Sequence, residues 1–221
     1  MTAFHPTLED LPREFPVFPL SGALLLPRGK LPLNIFEPRY LAMTLDSLAA
    51  GRMFGMIQPD AQAAAGANGP GLYRVGCLGR LSSFSETDDG RVLITLTGLI
   101  RFNIDAELDM HHGYRRVCGE FAPYLDDLML TRPAAPIPRD AILMALRAFF
   151  ARRDVDANWD AIRGLSDDAL VITLAMACPF EALEKQALLE APTDAERAAT
   201  LLALLQMGAL GNEPPPGHSI S

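Results

Sequence analysis

The residues of this chain that could carry chemistry do not combine into a complete catalytic motif. The nearest approach to a phosphate-binding loop is GALLLPRGK, from Gly22 to Lys30. Such a loop needs two glycines with four residues between them, followed by lysine and then by a serine or threonine whose hydroxyl binds magnesium. Here six residues separate the glycines, a proline is among them, and Leu31 takes the place of the hydroxyl. We therefore expect no nucleotide binding and no cofactor.

Proteolysis by a serine–lysine dyad requires a lysine whose lowered pKa lets it activate a serine. The chain has two lysines, Lys30 and Lys185. Lys30 lies among predicted strands, and Lys185 follows Glu184 on a helix face that we expect to be solvated. We interpret both as surface lysines and predict that the chain is not an enzyme.

His111 and His112 are the only adjacent histidines, and Asp105, Glu107 and Asp109 precede them. Neighbouring side chains point in different directions on regular structure, which makes a shared metal ion hard to build. A weak metal site with oxygen ligands from these acids is one alternative. A polar loop between two strands is the interpretation we favour, and we predict no metal site.

The remaining candidates are charged and aromatic residues that could bind another chain: Phe36, Glu37, Arg39, Tyr40, Arg101 and Phe102. Two interpretations stay open. In the first, Glu37, Arg39 and Arg101 stabilise the junction between a sheet and a helix through charge-assisted hydrogen bonds. In the second, Phe36, Tyr40 and neighbouring apolar residues line a groove for unfolded polypeptide.

The segment that must position most of these residues is FPVFPLSGALLLPRGKLPLNIFEPRY, residues 15–40. Its five prolines confine the short apolar runs to sheet edges, strand starts or bulges. Alternating Leu31, Leu33 and Ile35 predict a strand. Pro38 suits the first position of a helix, in which leucines recur at helical spacing until a glycine at position 51: Leu41, Leu45 and Leu48.

Up to about Phe121 the pattern is that of short strands with Gly, Pro and Asp punctuation. Asp89-Gly90, between alternating runs, predicts a hairpin with a type I′ turn. The insertion at 58–71, QPDAQAAAGANGPG, is long for a loop inside a compact domain. Loops of this kind are lids, binding loops or disordered segments, and we expect disorder here.

Beyond a proline-rich connector near 131–138, the pattern is helical. Five helices are predicted between residues 140 and 210, joined by short loops as in an up-and-down bundle. Thr193 and Glu196 have the spacing of a capping box, which predicts the start of the last helix.

Four motifs in order resemble the N-terminal, substrate-binding domain of Lon proteases: residues 15–40, then GCLGRL at 76–81, DGR at 89–91 and GLIRF at 98–102. Asn34 stands where that family often has histidine, and residues 26–29 carry one extra residue. The resemblance implies a PUA-like pseudo-barrel followed by a helical subdomain, in which EKQALLE at 184–190 is similar to the family's own wording. It also implies binding of polypeptide substrates.

The composition of the chain bears on which kinds of partner it can bind. The formal charge of −8 and a pI near 5.0 oppose nucleic-acid binding, which favours a basic face. Arg115-Arg116 is one of two tight basic pairs, and we interpret it as solvated. Three widely spaced cysteines allow neither a disulfide framework nor a zinc motif and suit a reducing cytoplasm. No segment predicts a signal peptide or a membrane span.

We therefore predict an α+β protein with a PUA-like β pseudo-barrel at 10–123, an α-helical bundle at 138–211 and flexible tails at 1–9 and 212–221. Its predicted function is non-catalytic binding of unfolded or partly folded polypeptides, as a cytoplasmic adaptor or chaperone-like factor in protein quality control. A protease complex is a further candidate partner. The alternative is a PUA-like module that binds nucleic acid or a small ligand.

Overall fold

In the computed structural model of the protein, the structure describes residues 6–129 and 136–210. Most of the predicted connector, residues 1–5 of the predicted N-terminal tail and the predicted tail 212–221 lie outside these residues. The strands are β1 (Glu14–Pro19), β2 (Lys30–Ile35), β3 (Met53–Ile57), β4 (Val75–Glu86), β5 (Val92–His111) and β6 (Tyr114–Glu120). The helices are α1 (Pro38–Ala49), α2 (Arg139–Arg152), α3 (Trp159–Arg163), α4 (Asp167–Ala177), α5 (Ala182–Glu190) and α6 (Asp194–Leu210).

The strands form one mixed sheet in the order β2-β5-β4-β3-β1-β6, and β6 also pairs with β5. That last pairing closes five strands into a barrel. β5 makes closure possible because it is 20 residues long: residues 92–97 pair with β2, and residues 103–111 pair with β6. The predicted α+β class with a β pseudo-barrel and C-terminal helices is confirmed.

The barrel interior is apolar and closely packed. Phe15 and Phe102 meet edge to face, with ring centroids 4.9 Å apart, and both are almost fully buried. Glycines make room for these rings: a Cβ on Gly76 would lie 2.5 Å from the Phe102 ring, and one on Gly119 would lie 2.6 Å from the Phe15 ring. Such contacts are shorter than real Cβ atoms show, so the two rings fit in these positions only because residues 76 and 119 are glycines.

Helix α1 begins at Pro38 as predicted, but its leucines do not form its buried face. The buried residues are Tyr40, Met43, Thr44 and Ser47, whereas Leu45 is 55% exposed. Helical spacing alone cannot tell which of two neighbouring faces packs on the sheet, and here the more polar face does.

The predicted hairpin is confirmed, since β4 and β5 pair on both sides of residues 87–91. Its predicted type I′ turn is wrong, because Gly90 has positive φ and Asp89 does not. Positive φ at both central positions occurs instead between β5 and β6, at His112 and Gly113.

The chain divides into two compact units. The first contains the strands, α1, the end of α4 and α5; the second contains α2, α3, most of α4 and α6. A division into folding domains at 10–123 and 138–211 stays a prediction. The capping box of α6 is confirmed: the Glu196 N–H donates to Thr193 Oγ1 (3.1 Å), and the Thr193 N–H donates to Glu196 Oε2 (3.1 Å).

Helix α5 belongs with the sheet because buried amides connect them. Gln58, at the end of β3, donates from Nε2 to the Ala182 carbonyl (2.9 Å) and to Gln186 Oε1 (3.1 Å). Gln186 in turn donates to the Val75 carbonyl (3.1 Å). Buried amides are stable only when their donors and acceptors are paired, so this network holds α5 in one position.

Candidate functional site

The start of α1 positions four of the six predicted site residues. Glu37 is the N-cap residue, and its Oε2 accepts hydrogen bonds from Arg39 Nε (3.0 Å) and Nη2 (2.8 Å). The Arg39 guanidinium lies 4.5 Å from the centre of the Tyr40 ring, a cation–π contact. Tyr40 itself is 5% exposed and packs on Phe18, with ring centroids 4.0 Å apart.

Arg39 and Tyr40 line a cleft of about 200 Å³, which we call the Arg39–Tyr40 cleft. Its other walls come from β1, the 58–71 loop and the β5–β6 hairpin: Pro19, Pro59, Asn68, Pro70, Met110, Gly113, Tyr114 and Arg115. Three prolines, two tyrosines and a methionine make most of this lining apolar, and prolines bring no backbone N–H groups to it.

The 58–71 loop is ordered, so the expectation of disorder is wrong. Asn68 Nδ2 donates to Glu107 Oε1 (2.9 Å) and to the Leu108 carbonyl (3.0 Å). The Pro70 carbonyl accepts a hydrogen bond from Arg115 Nη1 (2.7 Å). The alanine- and glycine-rich composition gave no sign of this order, because the loop is held by a few hydrogen bonds to residues about 40 positions away.

Arg115 and Glu107 form a bidentate ion pair beneath this loop, with Nε–Oε1 at 2.6 Å and Nη2–Oε2 at 2.8 Å. Burial by itself raises the pKa of Glu107, but hydrogen bonds from Arg115 and Asn68 outweigh it and lower the pKa below the ordinary value. The carboxylate is therefore charged at neutral pH, and Arg115 is neutralised by it.

The other two predicted site residues lie on strand β5 and are not among the residues that line the cleft. Phe102 is fully buried in the core. Arg101 is 4% exposed, and Asp127 accepts hydrogen bonds from its Nε (2.8 Å), Nη2 (3.0 Å) and backbone N–H (3.1 Å). In this conformation neither side chain has a surface that a ligand could contact.

Phe36 is 62% exposed and precedes Arg39 by three residues, but it does not line the cleft. The predicted site residues thus separate into three groups: Arg39 and Tyr40 line the cleft with Glu37 paired to Arg39, Phe36 is exposed, and Arg101 and Phe102 are buried. A binding role for these residues stays a prediction.

Sequence reasoning missed the other walls of the cleft. Pro19, Pro59 and Pro70 were visible as prolines, but their convergence depends on the parallel pairing of β1 with β3 and on the anchored loop. The one local signal was the Gly113 that follows two histidines, since a glycine at the end of a strand allows the tight turn.

The prediction of two surface lysines is wrong for Lys185. It is 8% exposed, and its ammonium donates to the carbonyls of Gly22 (2.7 Å) and Met176 (3.4 Å). Burial lowers the pKa of Lys185. Both contacts are with backbone oxygens, which gives the amine a structural role in holding α5 on the sheet unit.

The family model of the ATP-dependent protease La (LON) substrate-binding domain matches residues 14–207. The chain belongs to this family. It is 27% identical over 96 residues to the Lon protease of Desulfosudis oleivorans, and 25% identical over 97 residues to that of Flavobacterium johnsoniae. These matches cover 43% and 44% of the chain, but it spans only 12% of the length of either relative.

Solved structures show the same fold. A Lon N-terminal domain protein from Xanthomonas campestris has a TM-score of 0.58 at 21% identity, covering 86% of this chain and 97% of its own. The N-terminal domain of a Mycobacterium avium complex Lon protease also has a TM-score of 0.58, at 16% identity, covering 87% and 97%. Within residues 6–129 and 136–210, no helix combines the length and the apolar character needed to cross a bilayer.

Proposed function

We propose that this protein binds extended segments of unfolded or partly folded polypeptide at the Arg39–Tyr40 cleft and does not transform them. The observation that carries the proposal is the cleft itself, a mostly apolar depression walled by prolines, tyrosines and a methionine. The family's description as a substrate-binding domain supports the same function.

The size of the cleft favours part of a peptide over a complete small ligand. Pockets for drug-sized ligands or cofactors measure roughly 300–1,000 Å³, whereas this cleft measures about 200 Å³. Such a volume accepts one or two side chains of a longer chain that continues over the surrounding surface. Exposed Met110 suits a binder of varied sequences, since methionine is flexible and polarizable.

The charges at the cleft also favour a peptide over a nucleic acid. Arg39 pairs with Glu37 and Arg115 pairs with Glu107, so each guanidinium is already neutralised. Arg116 pairs with Glu14 at 3.0 Å. The Arg115-Arg116 pair therefore forms no free basic patch for phosphates, and the alternative of a nucleic-acid module gains no support from it.

Peptide binding is tested by titrating the protein into fluorescein-labelled unfolded polypeptide and following anisotropy. We expect saturable binding and, for Met110→Ser, an affinity about fivefold weaker, equivalent to ~1 kcal/mol. Met144→Ser is the control, because Met144 is also an exposed methionine (72%, against 49% for Met110) and lies on α2 in the second unit. Absence of saturable binding below millimolar protein would overturn the proposal, as would equal loss in both variants.

The cellular role we propose is that of an adaptor or chaperone-like factor in protein quality control, with a protease complex as a candidate partner. Comparing wild type with Met110→Ser in cross-linked complexes identified by mass spectrometry tests it. Misfolded clients should be enriched by the wild type and depleted by the variant. Assays for ATP hydrolysis and peptide cleavage on the purified chain should both be blank, and turnover in either would contradict a non-catalytic role.

A further inference from the structure

The turn between β5 and β6 brings two adjacent imidazoles to the same side of the hairpin. His112 and Gly113 have φ of +46° and +81°, which reverses the chain in two residues. The ring centroids of His111 and His112 are 3.9 Å apart, with 36° between the planes. Adjacent side chains point apart on a regular strand, but at this turn the two imidazoles lie together.

A carboxylate from another element faces both rings. Asp46, on α1, has Oδ2 at 2.8 Å from His112 Nδ1 and 3.8 Å from His111 Nε2. One ligand atom from each of the three residues lies within 4.8 Å of the others. The acids near the histidines in sequence are not part of this group, and Glu107 is paired with Arg115 instead.

These separations match the size of a metal site. With metal–ligand bonds of roughly 2.0–2.1 Å in a tetrahedron, neighbouring ligand atoms are separated by roughly 3.3 Å. The observed 2.8 Å and 3.8 Å lie on either side of that value. The side chains of His111 and His112 are 52% and 57% exposed, so small rotations can equalise the distances without disturbing the core.

The Asp46 carboxylate is already held in place by a hydrogen bond from a neighbouring tyrosine. Tyr114 donates its hydroxyl hydrogen to Asp46 Oδ2 at 2.9 Å. Burial, together with this hydrogen bond, raises the pKa of Tyr114 to about 12. Partners that orient a ligating carboxylate in this way are typical of metal sites.

Asp46 and His111, two of these three residues, border a cavity. The cavity, of about 450 Å³, is lined by Asp46, Ser47, His111 and Tyr114 together with residues of β1 and β3.

We propose that Asp46, His111 and His112 bind one divalent transition-metal ion of the Zn²⁺ type, with water in the remaining positions. Two imidazole nitrogens and one carboxylate oxygen are a usual ligand set for such an ion. The ion would replace the hydrogen bond between His112 and Asp46 and cross-link α1 to the β5–β6 turn. Tyr114 lines both this cavity and the Arg39–Tyr40 cleft, so the metal would rigidify one wall of the cleft.

The test is a titration of tag-free, chelator-stripped protein with Zn²⁺ by isothermal calorimetry. We expect one ion per chain, and at least a tenfold loss of affinity in His111→Gln/His112→Gln and in Asp46→Asn. Tyr114→Phe keeps all three ligands and loses only the orienting hydrogen bond, so we expect an affinity about tenfold weaker. Co²⁺ should give the visible absorption of a four- or five-coordinate ion in the wild type but not in the variants that lack Asp46 or both histidines.

Matched controls separate this site from other ligands in the chain. Asp109→Asn removes an exposed acid on the same hairpin, and His5→Ala/His218→Ala removes the other two histidines. Both control variants should bind Zn²⁺ as tightly as the wild type. Zn²⁺ should also raise the Tm of the wild type and of both controls, since a ligand that binds only the folded state stabilises it.

Two results would overturn the proposal. In the first, the wild type binds no Zn²⁺ up to millimolar concentration, which would leave the group as a hydrogen-bonded clamp. In the second, binding persists in the double histidine variant. Circular dichroism shows whether each variant is folded, and single variants of the exposed histidines serve if the Asp46 variant is not.

Discussion

Arg101 and Arg39 make the same kind of contact in opposite environments. Each pairs with a carboxylate at 2.8 Å. The side chains of Arg101 and Asp127 are 5% and 4% exposed, whereas those of Arg39 and Glu37 are 52% and 45% exposed. The buried pair has exchanged water for protein partners, so removing one member leaves the other charge buried and unpaired, which strongly destabilises the fold. The exposed pair keeps its water and remains free to meet a ligand.

The Arg115–Glu107 pair lies between these extremes, with side chains 8% and 28% exposed. It anchors the 58–71 loop and forms one side of the cleft. Each of the three pairs combines an arginine with a carboxylate, and burial makes them differ. Arg101–Asp127 stabilises the buried core, Arg115–Glu107 anchors the loop beside the cleft, and Arg39–Glu37 remains at the surface.

Removing Arg101 should have the largest effect. Arg101→Ala leaves Asp127 buried and unpaired, and we expect the free energy of unfolding to fall by about 3–5 kcal/mol. Urea denaturation measures this loss. Arg101→Met combined with Asp127→Leu should recover most of it, because the double change removes both charges. A loss below about 1 kcal/mol for Arg101→Ala would show that the pair is not as buried as described.

Filling the space beside Phe102 should have the next largest effect. A Cβ at residue 76 would lie 2.5 Å from the Phe102 ring and 2.8 Å from the Met56 carbonyl. We therefore expect Gly76→Ala to destabilise the protein by about 1–3 kcal/mol. Gly66→Ala is the control, because nothing lies within 4 Å of its added Cβ. Equal thermal stability of the two variants would contradict the close packing around Phe102.

The contribution of the Arg115–Glu107 pair to the free energy of unfolding should depend on pH. The folded state lowers the pKa of Glu107 from its ordinary value of 4.5. Its contribution to stability is therefore complete above that value and is lost as pH falls through the lowered pKa. Glu107→Gln should cost about 1 kcal/mol near neutral pH, and the difference from wild type should vanish in acid. A difference that stays constant with pH would mean that the ion pair is not its source.

The smallest effect belongs to the exposed pair. Arg39→Gln should change stability by no more than about 0.5 kcal/mol, because exposed ion pairs contribute little. Denaturation at low and high salt checks this: the difference in stability between the variant and the wild type should stay within that limit at low salt and shrink at high salt. The same substitution should weaken peptide binding in the anisotropy titration. A large loss of stability without loss of binding would reverse the roles of Arg39 and Arg101.

The sequence predicted most of the fold because the required signals are local. Pro38 began α1, Asp-Gly marked the β4–β5 hairpin, and Thr193 with Glu196 began α6. Period-two alternation indicated strands and period 3.6 indicated helices without knowledge of partners. The ordered motifs between residues 15 and 102 also indicated the family that the comparison confirmed.

Local sequence patterns did not predict which polar residues are buried. Lys185 appeared to be a surface lysine and is buried, and Arg101 appeared available for binding and is an internal partner of Asp127. Asp127 lies 26 positions from Arg101, and Gly22, whose carbonyl accepts the shorter hydrogen bond from Lys185, lies 163 positions from it. No window of the sequence holds both members of such a pair.

By itself, then, the sequence determined the class of fold, the order of its strands and helices and the family of the chain. Only the tertiary structure decided which charged residues are exposed, that the 58–71 loop walls a cleft, and that Asp46 meets His111 and His112. The physical reason is that secondary structure follows from neighbours along the chain. Burial and sites follow from the closure of the barrel, which brings distant residues within a few ångströms of each other.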